Sequence, residues 1–146
     1  MMISVGVTIA APPARVWAEL EPIEHHVEWM ADAETITFAT ATTRGVGTEF
    51  DCVTRIGPLR TVDRMVVTEW EPDRAMGIDH CGLVRGSGRF TLTPRPGGRT
   101  RFTWREELQF PWQFGGPVGA AATRPVLQAV WRRNLRRLQA IVEDNA

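Results

Sequence analysis

The stretch LQAVWRRNLRRLQAIV, residues 127–142, decides the fold. On a helical wheel at ~100° per residue, Leu127, Val130, Trp131, Leu135, Leu138, Ile141 and Val142 fall in one arc of roughly 140°. Arg132, Arg133 and Arg136 lie on the opposite side, with Arg137 nearer its edge. The spacing predicts a long amphipathic helix whose apolar stripe needs a partner surface. Pro125 kinks this helix or marks its start, and Thr123 is a candidate cap.

The partner is written upstream. Ile3, Val5, Val7 and Ile9 are apolar at every second position, with Ser4, Gly6 and Thr8 between them, so the chain opens on a strand with one buried face. Proline at Pro12 and Pro13 suits a helix start. Val16, Trp17 and Leu20 then follow at helical spacing, predicting a short helix from Pro12 to Leu20. Pro22 interrupts it. A second short helix is expected from Ile23 to about Met30, burying Val27 and Met30 or Trp29. From Glu34 to Phe110 strands follow one another: Thr35–Thr40, Thr48–Ile56, Leu59–Trp70, Ala75–Cys81, Arg85–Thr93 and Arg99–Phe110. Gly/Pro turns separate most of them, such as Gly57-Pro58 and Pro94-Arg95-Pro96-Gly97-Gly98, which indicates an antiparallel meander. The order is one strand, two short helices, six strands and a long helix. The expected fold is α+β: a curved antiparallel seven-stranded sheet around the C-terminal helix, with space left between them.

Composition narrows the function classes. The 146 residues fit one domain, 1–146, able to bury a core unaided. Seventeen basic residues, all arginine, balance 17 acidic ones, which argues against a dedicated nucleic-acid binder. GC-rich coding accounts for the arginine bias. Cys52 and Cys81 form no CxxC pair and match no metal spacing, so reduced thiols in a cytoplasmic protein are expected. The opening MMISVGVTIAAPP lacks the pattern of a signal peptide, and no stretch approaches the ~20 apolar residues of a membrane span.

Several segments resemble the START-like, or SRPBCC, superfamily with its helix-grip fold, and most closely its bacterial polyketide cyclase/dehydrase-like branch. Val7-Thr8-Ile9-Ala10-Ala11-Pro12-Pro13-Ala14-Arg15-Val16-Trp17 matches the family's first strand and helix start. Trp29 sits where the family has a tryptophan after the second helix. Val67-Thr68-Glu69-Trp70-Glu71-Pro72-Asp73-Arg74 resembles a family hairpin, and Gly98-Arg99-Thr100-Arg101-Phe102-Thr103-Trp104 a family strand. Asn134-Leu135-Arg136-Arg137-Leu138 is similar to the end of the last helix. The resemblance spans nearly the whole chain, and it implies a fold rather than a reaction.

No GxSxG, HExxH, phosphate loop or dinucleotide fingerprint occurs, so neither a cofactor nor a metal is expected. The candidates are polar residues on inward-facing positions. Glu106 continues the alternation Phe102, Trp104, Glu106, Leu108; it is a base or ligand contact, or else a wet strand end or an arginine's partner. His80 alternates with Met76 and Ile78. Asn134 lies inside the apolar arc and binds either a ligand carbonyl or a backbone group. His25 and His26 sit at an expected cavity entrance; as neighbours they cannot share a helix face, and one is exposed. Trp29, Phe50, Phe90 and Trp104 are candidate lining, or core. The aromatic loop Phe110 to Gly116, with Trp112, is a lid over the cavity mouth or an interface.

Two roles remain. One is binding of a small, largely hydrophobic ligand (lipid, polyketide or aromatic metabolite) between sheet and helix. The other is a polyketide cyclase/dehydratase-type enzyme whose candidate catalytic residues are Glu106 and His80. Either suits a monomer or a homodimer.

Overall fold

A computed structural model describes residues 1–145. The chain forms strand β1 (Met2–Ile9), helix α1 (Pro13–Leu20), a 3-10 turn (Ile23–Glu28), strands β2 (Ala33–Phe38), β3 (Glu49–Ile56), β4 (Leu59–Glu71), β5 (Ala75–Cys81), β6 (Arg85–Arg95) and β7 (Arg99–Gln109), a second 3-10 turn (Trp112–Phe114) and helix α2 (Gly116–Asp144). The strands make one antiparallel seven-stranded sheet in the order β1-β7-β6-β5-β4-β3-β2. Each hairpin partner is thus the sequence neighbour, and only β1 crosses to the far edge.

The two faces of this sheet differ in chemistry. Along β7 the alternation is strict: Phe102, Trp104, Glu106 and Leu108 are buried while Arg105, Glu107 and Gln109 are exposed. The outer face carries ion pairs in place of a second layer, among them Arg64 with Asp51 at 2.6 Å and Arg89 with Glu69 at 2.7 Å. Such exposed pairs contribute little individually, about 0–1 kcal/mol each. The inner face curves around α2, which packs chiefly on β1. Leu127, Trp131, Leu135, Leu138 and Val142 form its buried stripe, and Arg132, Arg133, Arg136 and Arg137 face solvent. Register shifts in β2 between Ala33 and Thr35, and in β4 between Val67 and Glu69, add local twist that helps the sheet bend.

The structure narrows two expectations and corrects a third. Helix α2 starts at Gly116 and passes through Pro125. Residues 121 and 125 lie on the exposed face, so the Ala121 carbonyl that loses its amide partner there can turn to water. Thr123 is not a cap: its hydroxyl donates to the Gly119 carbonyl one turn back, at 2.7 Å. The second short helix is a 3-10 turn that buries Ile23 and His26, while Val27 and Met30 are half-buried and Trp29, just beyond it, is fully buried.

Candidate functional site

A cavity of about 380 Å³ lies between the inner face of the sheet and α2. That is near the small end of the ~300–1,000 Å³ typical of small-molecule pockets. Strands β2 to β7 supply most of the wall, through side chains such as Ile36, Phe50, Met65, Met76 and Leu108. Phe110, Phe114, Leu127 and Trp131 close the side formed by the loop and α2. The periodicity explains this wall: each strand sends every second side chain inward.

Polar groups collect where β4, β5 and β7 contribute an Asp, a His and a Glu. His80 Nε2 and Glu106 Oε2 lie 2.7 Å apart. The second oxygen of Glu106 accepts the Trp104 indole N–H at 2.9 Å, so both carboxylate oxygens are engaged. Glu106 is 4% exposed, and its ionic partner is a histidine rather than an arginine. Room for the carboxylate comes from Gly88, its cross-strand partner on β6: a Cβ there would stand 2.4 Å from Glu106 Oε1. Burial works to lower the His80 pKa, but the hydrogen bond it donates to Glu106 and the charges of Glu106, Asp63 and Asp79 outweigh it. The net shift is upward from the ordinary 6.5.

Asp63 on β4 completes the group. One oxygen accepts from the Thr54 hydroxyl at 3.3 Å; the other, Oδ1, is buried with no hydrogen-bond partner among the described residues. Burial raises its pKa, and the nearby Glu106 adds to the rise while His80 and Thr54 oppose it. On the sheet beside it, burial pushes the Cys52 thiol up to about 11, which leaves an unreactive wall residue.

The aromatic side is organised differently. The rings of Trp104 and Trp131 stack, with centroids 4.5 Å apart and planes 17° apart. Trp131 donates its indole N–H to Asp32 at 3.2 Å. Asn134 Nδ2 donates to the other Asp32 oxygen at 2.8 Å, and Asn134 Oδ1 accepts from the Ala31 amide at 3.0 Å. These bonds fix α2 against the segment before β2 and hold Trp131 over Trp104. His26 belongs to the same dry region: its Nε2–H donates to the Leu20 carbonyl at 2.8 Å. Burial drives its pKa from 6.5 down to about 4, against the upward pull of that hydrogen bond.

Of the residues singled out in the sequence, Phe50, Phe90, Trp104, Glu106 and His80 line the cavity. Trp29 does not; it packs in the core against His26, Phe90, Phe102 and Trp104. Asn134 is fully occupied by Asp32 and Ala31 and is absent from the lining. His25 is exposed beside Glu19 and Glu28, their ligand atoms all within 4.8 Å of one another, and it is His26 that reaches the cavity. Trp112 is 84% exposed and lies outside the lining, whereas Phe110 and Phe114 of the same loop are part of it. Asp63 escaped the sequence reading. Its signal was there: it shares the parity of Thr61, Met65 and Val67 on a strand otherwise read correctly.

A seven-stranded sheet gripping one long helix around a cavity is the START-like architecture. Residues 2–143 match the family described as polyketide cyclase / dehydrase and lipid transport, and the chain belongs to that family. No curated protein matches the chain. Among solved structures, a START superfamily protein from Mycobacterium smegmatis has a TM-score of 0.82 at 13% identity, covering 99% of each chain. The Zhui aromatase/cyclase from Streptomyces sp. R1128 gives a TM-score of 0.74 at 18% identity, covering 98% of this chain and 93% of its own. The di-domain ARO/CYC StfQ from the steffimycin biosynthetic pathway gives 0.79 at 17% identity, over 99% of this chain and 51% of its own. At these identities the likeness is one of fold.

Proposed function

We propose that the chain binds a small, largely hydrophobic molecule in the cavity between the sheet and α2. One observation carries this role: an apolar cavity of about 380 Å³ that ends on a cluster of three titratable groups, Asp63, His80 and Glu106. Apolar walls supply affinity in proportion to buried area, and a few fixed polar groups orient the ligand. Native mass spectrometry of freshly purified protein, with solvent extraction of the same sample, tests it. The expected result is one apolar metabolite per chain, or uptake of one such molecule after incubation. Protein that arrives empty and takes up no apolar probe contradicts it.

The His80–Glu106 pair favours a second role on the same cavity, that of a cyclase/dehydratase-type enzyme. A histidine held 2.7 Å from a carboxylate can take a proton from one ligand atom and return it to another. Water loss from a model β-hydroxyketone, followed by ultraviolet absorbance, tests this role. His80→Ala and Glu106→Gln would abolish turnover while leaving the fold intact. Unchanged turnover in both variants would remove these two residues from the chemistry.

A further inference from the structure

Among the described residues the polar corner of the cavity has no free cation, and its indole and imidazole N–H donors are already engaged. Arginines are the ordinary receptors for carboxylate and phosphate. Among the described residues the one arginine at the wall, Arg89, turns its guanidinium outward, giving both Nε and Nη2 to Glu69 at 2.7 and 3.0 Å. His26 gives its Nε2 proton to Leu20 and stays neutral at physiological pH. His80 is committed to Glu106, and the Trp104 indole is committed to the same carboxylate. What the corner offers instead is acceptor capacity. Asp63, 9% exposed, holds one 3.3 Å bond from Thr54 and leaves Oδ1 without a partner. A buried acceptor left unsatisfied keeps its desolvation cost uncompensated, and a ligand donor that reaches it removes that cost. The carboxylate torsion of aspartate is broad, which lets either oxygen turn toward a bound molecule.

We propose that the ligand's polar end is an uncharged hydrogen-bond donor, a phenol or alcohol hydroxyl, received by Asp63 beside the His80–Glu106 pair, and that molecules headed by carboxylate or phosphate are excluded. An anionic head would stand next to two carboxylates with no free cation to meet it, and like charges in a poorly solvated site repel strongly. A neutral hydroxyl places its proton on Asp63 as a hydrogen bond and presents its oxygen to the imidazole side. The aromatic or aliphatic body then lies along Phe50, Met76 and the Trp104–Trp131 stack. This deepens the ligand-binding role proposed above and presupposes it.

Three probes on one naphthalene body separate the possibilities: 2-naphthol, 2-methoxynaphthalene and 2-naphthoate, titrated calorimetrically into the intact protein at pH 7.5. Naphthol should bind best. Its methyl ether, which keeps the oxygen and loses the proton, should bind about tenfold more weakly or worse, the loss expected for one hydrogen bond to a charged group. Naphthoate should bind weakest. Asp63→Leu should bring naphthol and its ether to equal affinity, and Asp63→Asn should narrow the deficit of naphthoate. Thermal unfolding checks that both variants fold, and the three wild-type titrations stand without them. Equal wild-type binding of naphthol and ether, or tightest binding of naphthoate, would overturn the head-group assignment and leave the cavity's role standing. Failure of all three probes to bind would overturn both.

Discussion

Two histidines face the same cavity and live in opposite surroundings. His26 packs against Trp29 and Phe90, gives a proton to a backbone carbonyl, and is held neutral by burial, its pKa pushed down to about 4. His80 sits among Asp63, Asp79 and Glu106, and carboxylates hold its pKa above the ordinary 6.5 despite burial. The first is part of a packed aromatic wall; the second belongs to a charged corner. The difference teaches that burial alone does not set the character of a cavity residue. The hydrogen-bond partners and charges it meets there do as well.

The largest expected effect breaks the aromatic wall. Trp29→Ala removes a fully buried side chain that touches four aromatic neighbours, and should lower the unfolding free energy by roughly 3–5 kcal/mol in urea. A loss below ~1 kcal/mol would mean the wall is loosely packed.

Next in size is the acid response of His26. Between pH 6.5 and about 4 the unfolded chain binds a proton at this site that the folded chain refuses, so stability rises with pH across that window and is lost on acidification. At ~1.36 kcal/mol per pKa unit the loss by pH 4 is on the order of 3 kcal/mol. The difference between wild type and His26→Gln, measured by denaturant titration over that range, isolates it from the carboxylates. Gln keeps a donor for the Leu20 carbonyl. Superimposable pH profiles would contradict the assignment.

His80 should respond in the opposite sense. Its folded pKa is raised, so the contribution of its pairing is fully present below pH 6.5 and disappears as pH rises through the higher folded value. Glu106→Gln removes the charge that sustains the pairing, and should flatten the profile on the alkaline side only. A flattening on the acid side instead would exchange the roles of the two histidines. The smallest effect is expected at Trp112. It is 84% exposed and outside the cavity wall, so Trp112→Ala should change stability by less than ~0.5 kcal/mol.

The sheet was legible in the sequence because its signal is local. Period-two alternation in Ile3–Ile9 and Phe102–Leu108, with glycine and proline between strands, specifies strands and turns directly, and the arginine-backed stripe of 127–142 specifies the helix that they grip. The resemblance to the START-like superfamily rested on the same segments. Facing direction was legible as well, which brought Glu106 and His80 to the cavity. Which group each one meets was not. The His80–Glu106 contact joins residues 26 positions apart across a strand that lies between them, and it depends on the missing side chain of Gly88. Asn134 was ambiguous because an apolar arc gives direction but no partner, and its partners Ala31 and Asp32 lie over a hundred residues away. The His25 and His26 choice turned on the 3-10 geometry of Ile23–Glu28, whose tighter turn an α-helical wheel does not describe. Of the two roles weighed for Pro125, kink or helix start, the structure removes the start: α2 runs through it, and the cost of the proline falls on a solvent-facing carbonyl.

The most direct test of the cavity's role is a fluorescence titration with N-phenyl-1-naphthylamine, run on the wild type and on Ile36→Trp, which fills the cavity from β2. A saturable rise at one probe per chain, lost in the filled variant while its thermal unfolding transition is retained, is the predicted result. Binding that is equal in both proteins, or that never saturates, would place the probe elsewhere and contradict a ligand cavity between the sheet and α2.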